Sequence, residues 1–307
     1  MSRTAAVVMN PEAGGGRGRR LGPDLAAALR SRGVETAILV ATGPDEALGM
    51  ARAAVADGAD SIVAAGGDGT VHLALQAVAG TGTPLGIVAL GTGNDNAAGL
   101  GLPVKKVDAA ADVIAAHNVR TIDVASVTTA DGEQRWFLGV LSAGFDSLVT
   151  ERANAMTWPK GQARYVRALI TELRAFRPVR FDIDVDGETM SDEAMFASIG
   201  NGARYGGGMN VCVGALLDDG LLTMTWIHRM PRWELVRTFP KVFAGTHITH
   251  PGVTQHAGRR IRVEARGQLA YADGERVGPL PIDVEVHPFG ANVLLPRGAT
   301  LGRPASA

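Results

Sequence analysis

The 307-residue chain has a single cysteine, Cys212, so no internal disulfide can staple it and no CxxC or Cys/His framework exists to hold zinc. That scarcity fits a reducing, cytoplasmic setting. Charge of one sign is equally lacking: Lys+Arg 30 against Asp+Glu 31 leaves a formal charge of -1. No overall electrostatic pull toward nucleic acid or anionic lipid follows, and no nucleic-acid partner is expected; a charged contact must be a local patch. Nowhere is there the roughly 20-residue apolar run that a membrane-spanning helix needs. The run at residues 5–9 is far shorter than a signal-peptide core and passes straight into Asn10-Pro11-Glu12, as a first strand does. If membranes matter, the protein sits on them. Internal repeats and low-complexity tracts are also missing, and the length favours two domains over one.

What is present is organised around Gly66-Gly67-Asp68-Gly69-Thr70-Val71-His72, which follows an apolar run and leads into helical spacing. Glycine lets backbone amides come close to a ligand, so a Gly-rich turn opening a helix can cradle a phosphate. Taken alone, the stretch reads equally well as a tight strand-to-helix turn.

The neighbouring segments repeat the pattern. Residues 5–9 run into a loop at 10–20, and Leu21, Leu25, Ala28 and Leu29 then recur at helical spacing. A second strand at 37–40 enters a loop at Thr42, with Pro44 suited to the first turn of the next helix. Strand 61–65 enters the glycine motif, and Val71, Leu75 and Val78 make the following helical stripe. Strand 85–90 meets Gly91-Thr92-Gly93-Asn94-Asp95. Four such units with nearly continuous apolar strands predict an α/β domain: a parallel sheet covered by helices on both faces, with ligands at the strand carboxyl ends. The loops at Asn10, Thr42, Gly66 and Gly91 all leave such ends, which favours the phosphate reading.

A helix at 104–116 and an extended stretch at 119–127 complete this half. Alternating strands follow at 136–141, 181–185, 221–227, 261–263 and 282–286, the mark of antiparallel sheets with one wet face. Helical stretches at 161–176 and 232–244 interrupt them, the second bent or ended near Pro240. The boundary falls near Thr128, giving a first domain of 1–127 and a second of 128–295, with the tail 296–307 packing back on the first.

Three clusters invite a metal. Asp182-Ile183-Asp184-Val185-Asp186-Gly187 with Glu193 satisfies a calcium-loop pattern, but its period-2 alternation from Phe181 puts the carboxylates on the wet face of a strand turning at Asp186-Gly187. His247 and His250 lack an acidic or thiol neighbour, so a loop is the better reading. The turn Leu216-Leu217-Asp218-Asp219-Gly220-Leu221 could hold magnesium or calcium through one carboxylate and nearby carbonyls, or be an ordinary Asp-Gly turn.

Read in order, these segments resemble the diacylglycerol kinase catalytic-domain family, which includes soluble bacterial diacylglycerol kinases and sphingosine kinases. The matching residues are Asn10-Pro11 with its glycines, Gly66 to Thr70, Gly91 to Asp95, Gly144-Phe145-Asp146, Asn201 with Tyr205-Gly206-Gly207-Gly208, Asp218-Asp219-Gly220 and Asp273-Gly274-Glu275. They span nearly the whole chain. The resemblance implies an ATP-binding α/β domain, a β-sandwich-like lipid domain and an active site in the cleft between them. It implies ATP contacts from Asn10, Pro11, Glu12, Ala13, Gly14, Thr42, Gly66, Gly67, Asp68, Gly69, Thr70, Val71, His72, Thr92 and Asn94. Magnesium is expected near Asp68, Asp95 and Asp123, and at a separate structural site made by Leu216, Asp219 and Leu221. Asp273 and Glu275 match the pair associated with proton abstraction, with Asp68 as the other candidate base. One departure stands out: where the family commonly has Phe-Ala-Arg, this chain has Asn96-Ala97-Ala98. The implied reaction is magnesium-dependent phosphorylation of diacylglycerol in phospholipid synthesis, at the cytoplasmic face of a membrane; a sphingoid lipid or NAD as acceptor, or a silent nucleotide- or lipid-binding regulator, are the alternatives. The resemblance allows a homodimer. For membrane contact the candidates are Arg17, Arg19 and Arg20, with Met156 and Trp158.

Overall fold

The computed structural model describes residues 3–10, 13–159, 162–173, 177–299 and 301. The chain divides into two compact units, residues 1–124 with 288–307 and residues 125–287. The first crossing falls close to the expected boundary. The return comes at 287/288, earlier than the expected 295, because the end of the last strand pairs within the first unit.

In unit 1 the elements run β1 (Arg3–Met9), α1 (Ala13–Ser31), β2 (Val34–Leu39), α2 (Pro44–Ala56), β3 (Ser61–Gly66), α3 (Asp68–Val78), β4 (Leu85–Ala89), α4 (Asp95–Gly99), α5 (Val107–Ala116) and the start of β5 (Val119–Thr129). Strands β4, β3, β1 and β2 lie in that order, all parallel. The central strand β3 is buried at all six positions, which is why Ile62 to Ala65 form a continuous apolar run rather than an alternation. Helices α1 and α5 pack together around Leu25, Leu29, Ala111 and Ile114, while α2 and α3 pack together and on β3. The order reverses at β1, which has β2 on one side and β3 on the other. In a doubly wound sheet the crevice opens at that reversal, beyond the strand carboxyl ends. Here those ends are Asn10 and Gly66.

Unit 2 holds β6 (Gln134–Phe137), β7 (Val140–Gly144), α6 (Phe145–Ala155), α7 (Gln162–Leu173), β8 (Val179–Val185), β9 (Glu188–Gly200), β10 (Arg204–Tyr205), β11 (Met209–Asn210), β12 (Leu222–His228), α8 (Arg232–Ala244), β13 (Val253–Gly258), β14 (Arg260–Glu264), β15 (Leu269–Ala272), β16 (Glu275–Pro279) and β17 (Ile282–Leu294), whose last residues return to unit 1. Val293 pairs with Leu85 of β4 there. The long strand β9 pairs antiparallel with β8 along its first half and with β7 and β12 along its second, so it belongs to two layers of a sandwich. Between the layers lie Phe137, Phe181, Ile199, Met224 and Val284, all at most 2% exposed. The other face of β7, β9 and β12 is covered by α6, α7 and α8 around Phe145, Phe196, Leu235 and Val242.

Several expectations need correction. Helix α1 begins at Ala13, so the glycines expected in a loop form its first turns. The stretch 136–141 is two strands, broken at Leu138-Gly139. Helix α8, by contrast, has the expected bounds 232–244, with Pro240 inside it. Helix α6 and strands β13 and β16 were not anticipated, nor was the length of β9, which carries Ser191, Asp192 and Glu193 at exposed positions and then seven buried residues, a pattern with no single period. The hairpin reading of 181–187 holds: β8 and β9 join through Asp186 and Gly187, both at positive φ. Asp182 binds Ser191, and Asp186 accepts the amides of Arg259 and Arg260, which hold both carboxyls below their ordinary range.

His247 and His250 do not form a metal pair. His247 is buried with Nε2 3.0 Å from the Val211 carbonyl, and His250 Nε2 meets Glu234 at 2.9 Å. Among the described residues no group of three or more His, Cys, Asp or Glu is placed to hold a metal ion. Burial lowers the His247 pKa from 6.5, partly offset by its bond to Val211. Below about 6.5 the unfolded chain then binds more protons than the folded one, so stability falls as pH falls through that range. His117 acts in the same direction. A His247→Gln variant should show a shallower loss of thermal midpoint between pH 7.5 and 5.5; identical slopes would remove His247 from the acid response.

Candidate functional site: three strand-end loops of unit 1 and the Asp273 node of unit 2

The glycine motif and the loop after β4 are packed back to back. Leu90 and Gly91 donate their amides to the Gly66 carbonyl at 2.7 and 3.2 Å. A Cβ added to Gly91 would sit 2.5 Å from Gly67 Cα and 3.0 Å from Asn94 Oδ1. Gly91 is therefore required by close approach of two backbones, since neither it nor Gly67 has positive φ. The left-handed residue is Asn94, with φ 61°, whose side chain accepts from Gly91 N and donates to Gly91 O. Asn10 joins the group from the end of β1 by donating to the Ala65 carbonyl at 3.2 Å.

Asp68 opens α3, and its carboxylate ties the two loops together. Oδ2 accepts the Asn94 amide at 2.7 Å, and Oδ1 accepts the Asn96 amide at 3.1 Å. Sequence reasoning missed Asn96, because its contribution is a backbone amide that no side-chain pattern reveals. Thr70 and Val71 donate their amides to Gly67 O, closing the first turn of α3 behind the glycine motif. Val71 and His72 are buried on α3, whereas Gly69, Thr92 and Gly93 are exposed. A Cβ on Gly93 would lie 2.9 Å from Asp68 Oδ2 and 3.5 Å from Asp95 Oδ2, so both carboxylates stand over that glycine.

The remaining expected positions fall as follows. Thr42 donates its amide and hydroxyl to Glu46 at 2.7 and 2.6 Å, which lowers the Glu46 pKa and ties the loop to the first turn of α2. Ala13 and Gly14 lie in the first turn of α1; Pro11 and Glu12 lie outside the described residues. Asp123, buried in β5, accepts the amide of Phe289 at 2.9 Å, with Phe289 at φ 57°. A cavity of about 550 Å³ in this unit lies elsewhere, between α2 and strands β1 and β2, lined by Thr36, Met50 and Ala54.

In unit 2, Asp273 occupies a two-residue turn with Gly274, both at positive φ, joining β15 to β16. Its Oδ2 accepts Leu138 N at 2.9 Å and its Oδ1 accepts Gly139 N at 2.8 Å. Buried Asn201 donates to the Leu138 carbonyl at 2.9 Å. Two motifs far apart in sequence thus grip one peptide, at the break between β6 and β7. Glu275 is exposed on β16. Gly144 takes φ 97° at the turn from β7 into α6. Gly206, Gly207 and Gly208 all have positive φ between the short strands β10 and β11. Asp219 Oδ1 accepts the Leu221 amide at 3.0 Å, closing the turn before β12.

Fold and loops define a two-unit protein: a doubly wound α/β unit with glycine loops at its strand ends, and a β-sandwich unit with a helical cover. Residues 4–127 match the diacylglycerol kinase catalytic domain, and residues 139–295 match the YegS C-terminal NAD kinase beta sandwich-like domain. The chain is 40% identical over 292 residues to a diacylglycerol kinase of Mycobacterium tuberculosis, covering 95% of this chain and 94% of that one. Its fold is shared with a diacylglycerol kinase of Bacillus anthracis str. Sterne, at TM-score 0.74 and 20% identity over 97% of this chain and 98% of that one. An NAD kinase from Archaeoglobus fulgidus in complex with ATP superposes at TM-score 0.53 and 16% identity, over 95% and 93%. The chain belongs to the diacylglycerol kinase catalytic-domain family, a family of lipid kinases.

Proposed function

We propose that the chain transfers the γ-phosphoryl group of ATP to the free hydroxyl of diacylglycerol, giving phosphatidate. The observation that carries this reading is the convergence of the Asn10, Gly66 and Gly91 loops, the last two tied by Asp68 and the first held on Ala65, in a chain so similar to a diacylglycerol kinase. The first turn of α3 at Gly67 to Gly69 and the first turn of α1 at Ala13 and Gly14 receive the phosphates, with Asn10, Thr42, Thr92 and Asn94 around them. Magnesium, when bound with ATP, offsets the charge building on the transferred group. Asp95 beside Asp68 supplies the hard carboxylate oxygens that this ion takes, needing only one or two beside phosphate and water. Asp123 acts through ordered water, since one of its oxygens holds Phe289. The Asp219 turn, with carbonyls of Leu216 and Leu221, has the oxygen chemistry of a structural magnesium site.

For the transfer, Asp273 takes the proton of the lipid hydroxyl as its oxygen bonds to the γ-phosphorus; the bond from that phosphorus to the β,γ-bridging oxygen breaks and ADP leaves. Asp68 is the other candidate for this base: its oxygens hold the Asn94 and Asn96 amides just as those of Asp273 hold Leu138 and Gly139, so the choice of Asp273 rests on its match, with Glu275, to the family's pair associated with proton abstraction. The protein meets its substrate at the cytoplasmic membrane face. Among the described residues no helix is long and apolar enough to cross a membrane. Arg19 and Arg20 are exposed on α1, and Trp158 is 71% exposed beneath the Arg167 guanidinium.

The test is transfer from labelled ATP to diacylglycerols, sphingosine, ceramide and NAD, with and without magnesium. Label on diacylglycerol, lost without magnesium, is the expected result. Transfer to NAD or sphingosine alone would replace the acceptor, and ATP binding without transfer would make the chain a regulator.

A further inference from the structure

Helix α8 buries one side and exposes the other. Leu235, Thr238 and Val242 are buried, with Phe239 and Phe243 edge to face beside them. The outward side consists of two adjacent rows at four-residue spacing: Trp233, Arg237 and Lys241 in one, and Arg232, Val236, Pro240 and Ala244 in the other. Every one of these seven residues is exposed. Trp233 is 65% and Val236 45% exposed, two large apolar groups one turn apart on that side.

The charge on that side has one sign. Arg232, Arg237 and Lys241 are its ionisable groups, while Glu234, the acidic residue of the helix, is turned to His250 at 2.9 Å. The whole chain carries a formal charge of -1, so this cationic face is a local departure from a balanced sequence. An apolar stripe with a tryptophan, flanked by cations, is the pattern of a helix lying in the plane of a lipid headgroup layer.

We propose that the outer face of α8 docks on an anionic bilayer surface, with Trp233 and Val236 entering the headgroup region and Arg232, Arg237 and Lys241 meeting lipid phosphates. This deepens the lipid-kinase reading, on which it rests for the nature of the surface. The site is separate from the arginines of α1. Helices α6 and α7, which flank exposed Trp158, share the core cluster that α8 covers, so both tryptophans belong to the helical cover of unit 2.

The experiment is co-sedimentation of the full chain with vesicles of phosphatidylcholine, with and without phosphatidylglycerol, alongside sedimentation velocity without lipid. The parent should partition about tenfold more strongly onto the anionic vesicles. The double variant Arg237→Glu/Lys241→Glu should lose at least that factor, and Trp233→Ala about fivefold. Both variants should keep the parent's circular dichroism and its transfer to a short-chain, water-soluble diacylglycerol. Unchanged vesicle binding in the variants would overturn the proposal. So would a parent dimer that the variants lose, which would make this face a contact between copies. Transfer without α8-dependent binding sinks the docking face alone; α8-dependent binding without transfer to any lipid sinks the kinase reading alone.

Discussion

Replacing Asp273 by Asn is expected to lower turnover by at least about 10²-fold, the contribution typical of a positioned base, with ATP affinity kept within a few-fold. The substitution also acts on structure. An asparagine can offer only one acceptor oxygen to the Leu138 and Gly139 amides, so one of the two bonds is replaced by opposed donors. Leaving such a buried group unmatched costs about 1–3 kcal/mol. The two effects separate by measurement: a lost base lowers kcat at unchanged thermal midpoint and ATP KM, whereas a loosened turn lowers the midpoint as well. Asn201→Ala removes the other grip on the same peptide without touching a carboxylate and serves as the structural comparison. Near-normal turnover in Asp273→Asn would move the base role to Glu275, exposed on the same hairpin, or to Asp68.

Gly91→Ala should abolish measurable ATP binding and lower the thermal midpoint by several degrees. The new methyl carbon would overlap Gly67 Cα and press on Asn94 Oδ1, so the two loops must separate. Separation breaks the bonds of Leu90 and Gly91 to Gly66 and pulls Asn94 and Asn96 from Asp68. Overpacking of this kind costs about 1–3 kcal/mol. Gly99→Ala is the matched control: it lies in α4 with nothing within 4 Å of an added Cβ and no positive φ. It should be neutral or stabilising by about 0.4–1 kcal/mol. If Gly91→Ala binds ATP like the parent, the packed loops are not the nucleotide site.

The doubly wound unit was legible because burial on both faces writes itself into sequence. Strand β3 is apolar from Ile62 to Ala65 with no alternation to confuse its reading, and the helices that follow β1 to β3 show regular stripes. Unit 2 was only partly legible. Strand β9 begins wet and ends buried as it passes between two layers, so no one period describes it. Helix α6 starts directly from the Gly144 turn with no polar side-chain cap, which removes the usual start signal. The break at Leu138-Gly139 was hidden because both flanks are apolar; what ends the strand is the grip of Asp273 and Asn201 on that peptide.

Composition and local pattern were enough to establish a balanced, cysteine-poor chain of two domains, the first a parallel α/β sheet with glycine loops at its strand ends, because these follow from periodicity and from glycine's small size. The partners of the acidic residues could not be read that way. Asp68 clamps amides 26 and 28 residues away, and Asp273 holds amides 135 and 134 residues away. Those bonds depend on backbone groups whose positions exist only once the strands have paired and the helices have packed. A carboxylate's sequence neighbours show that it can accept a proton or hold a metal; the fold sets which donors it already serves.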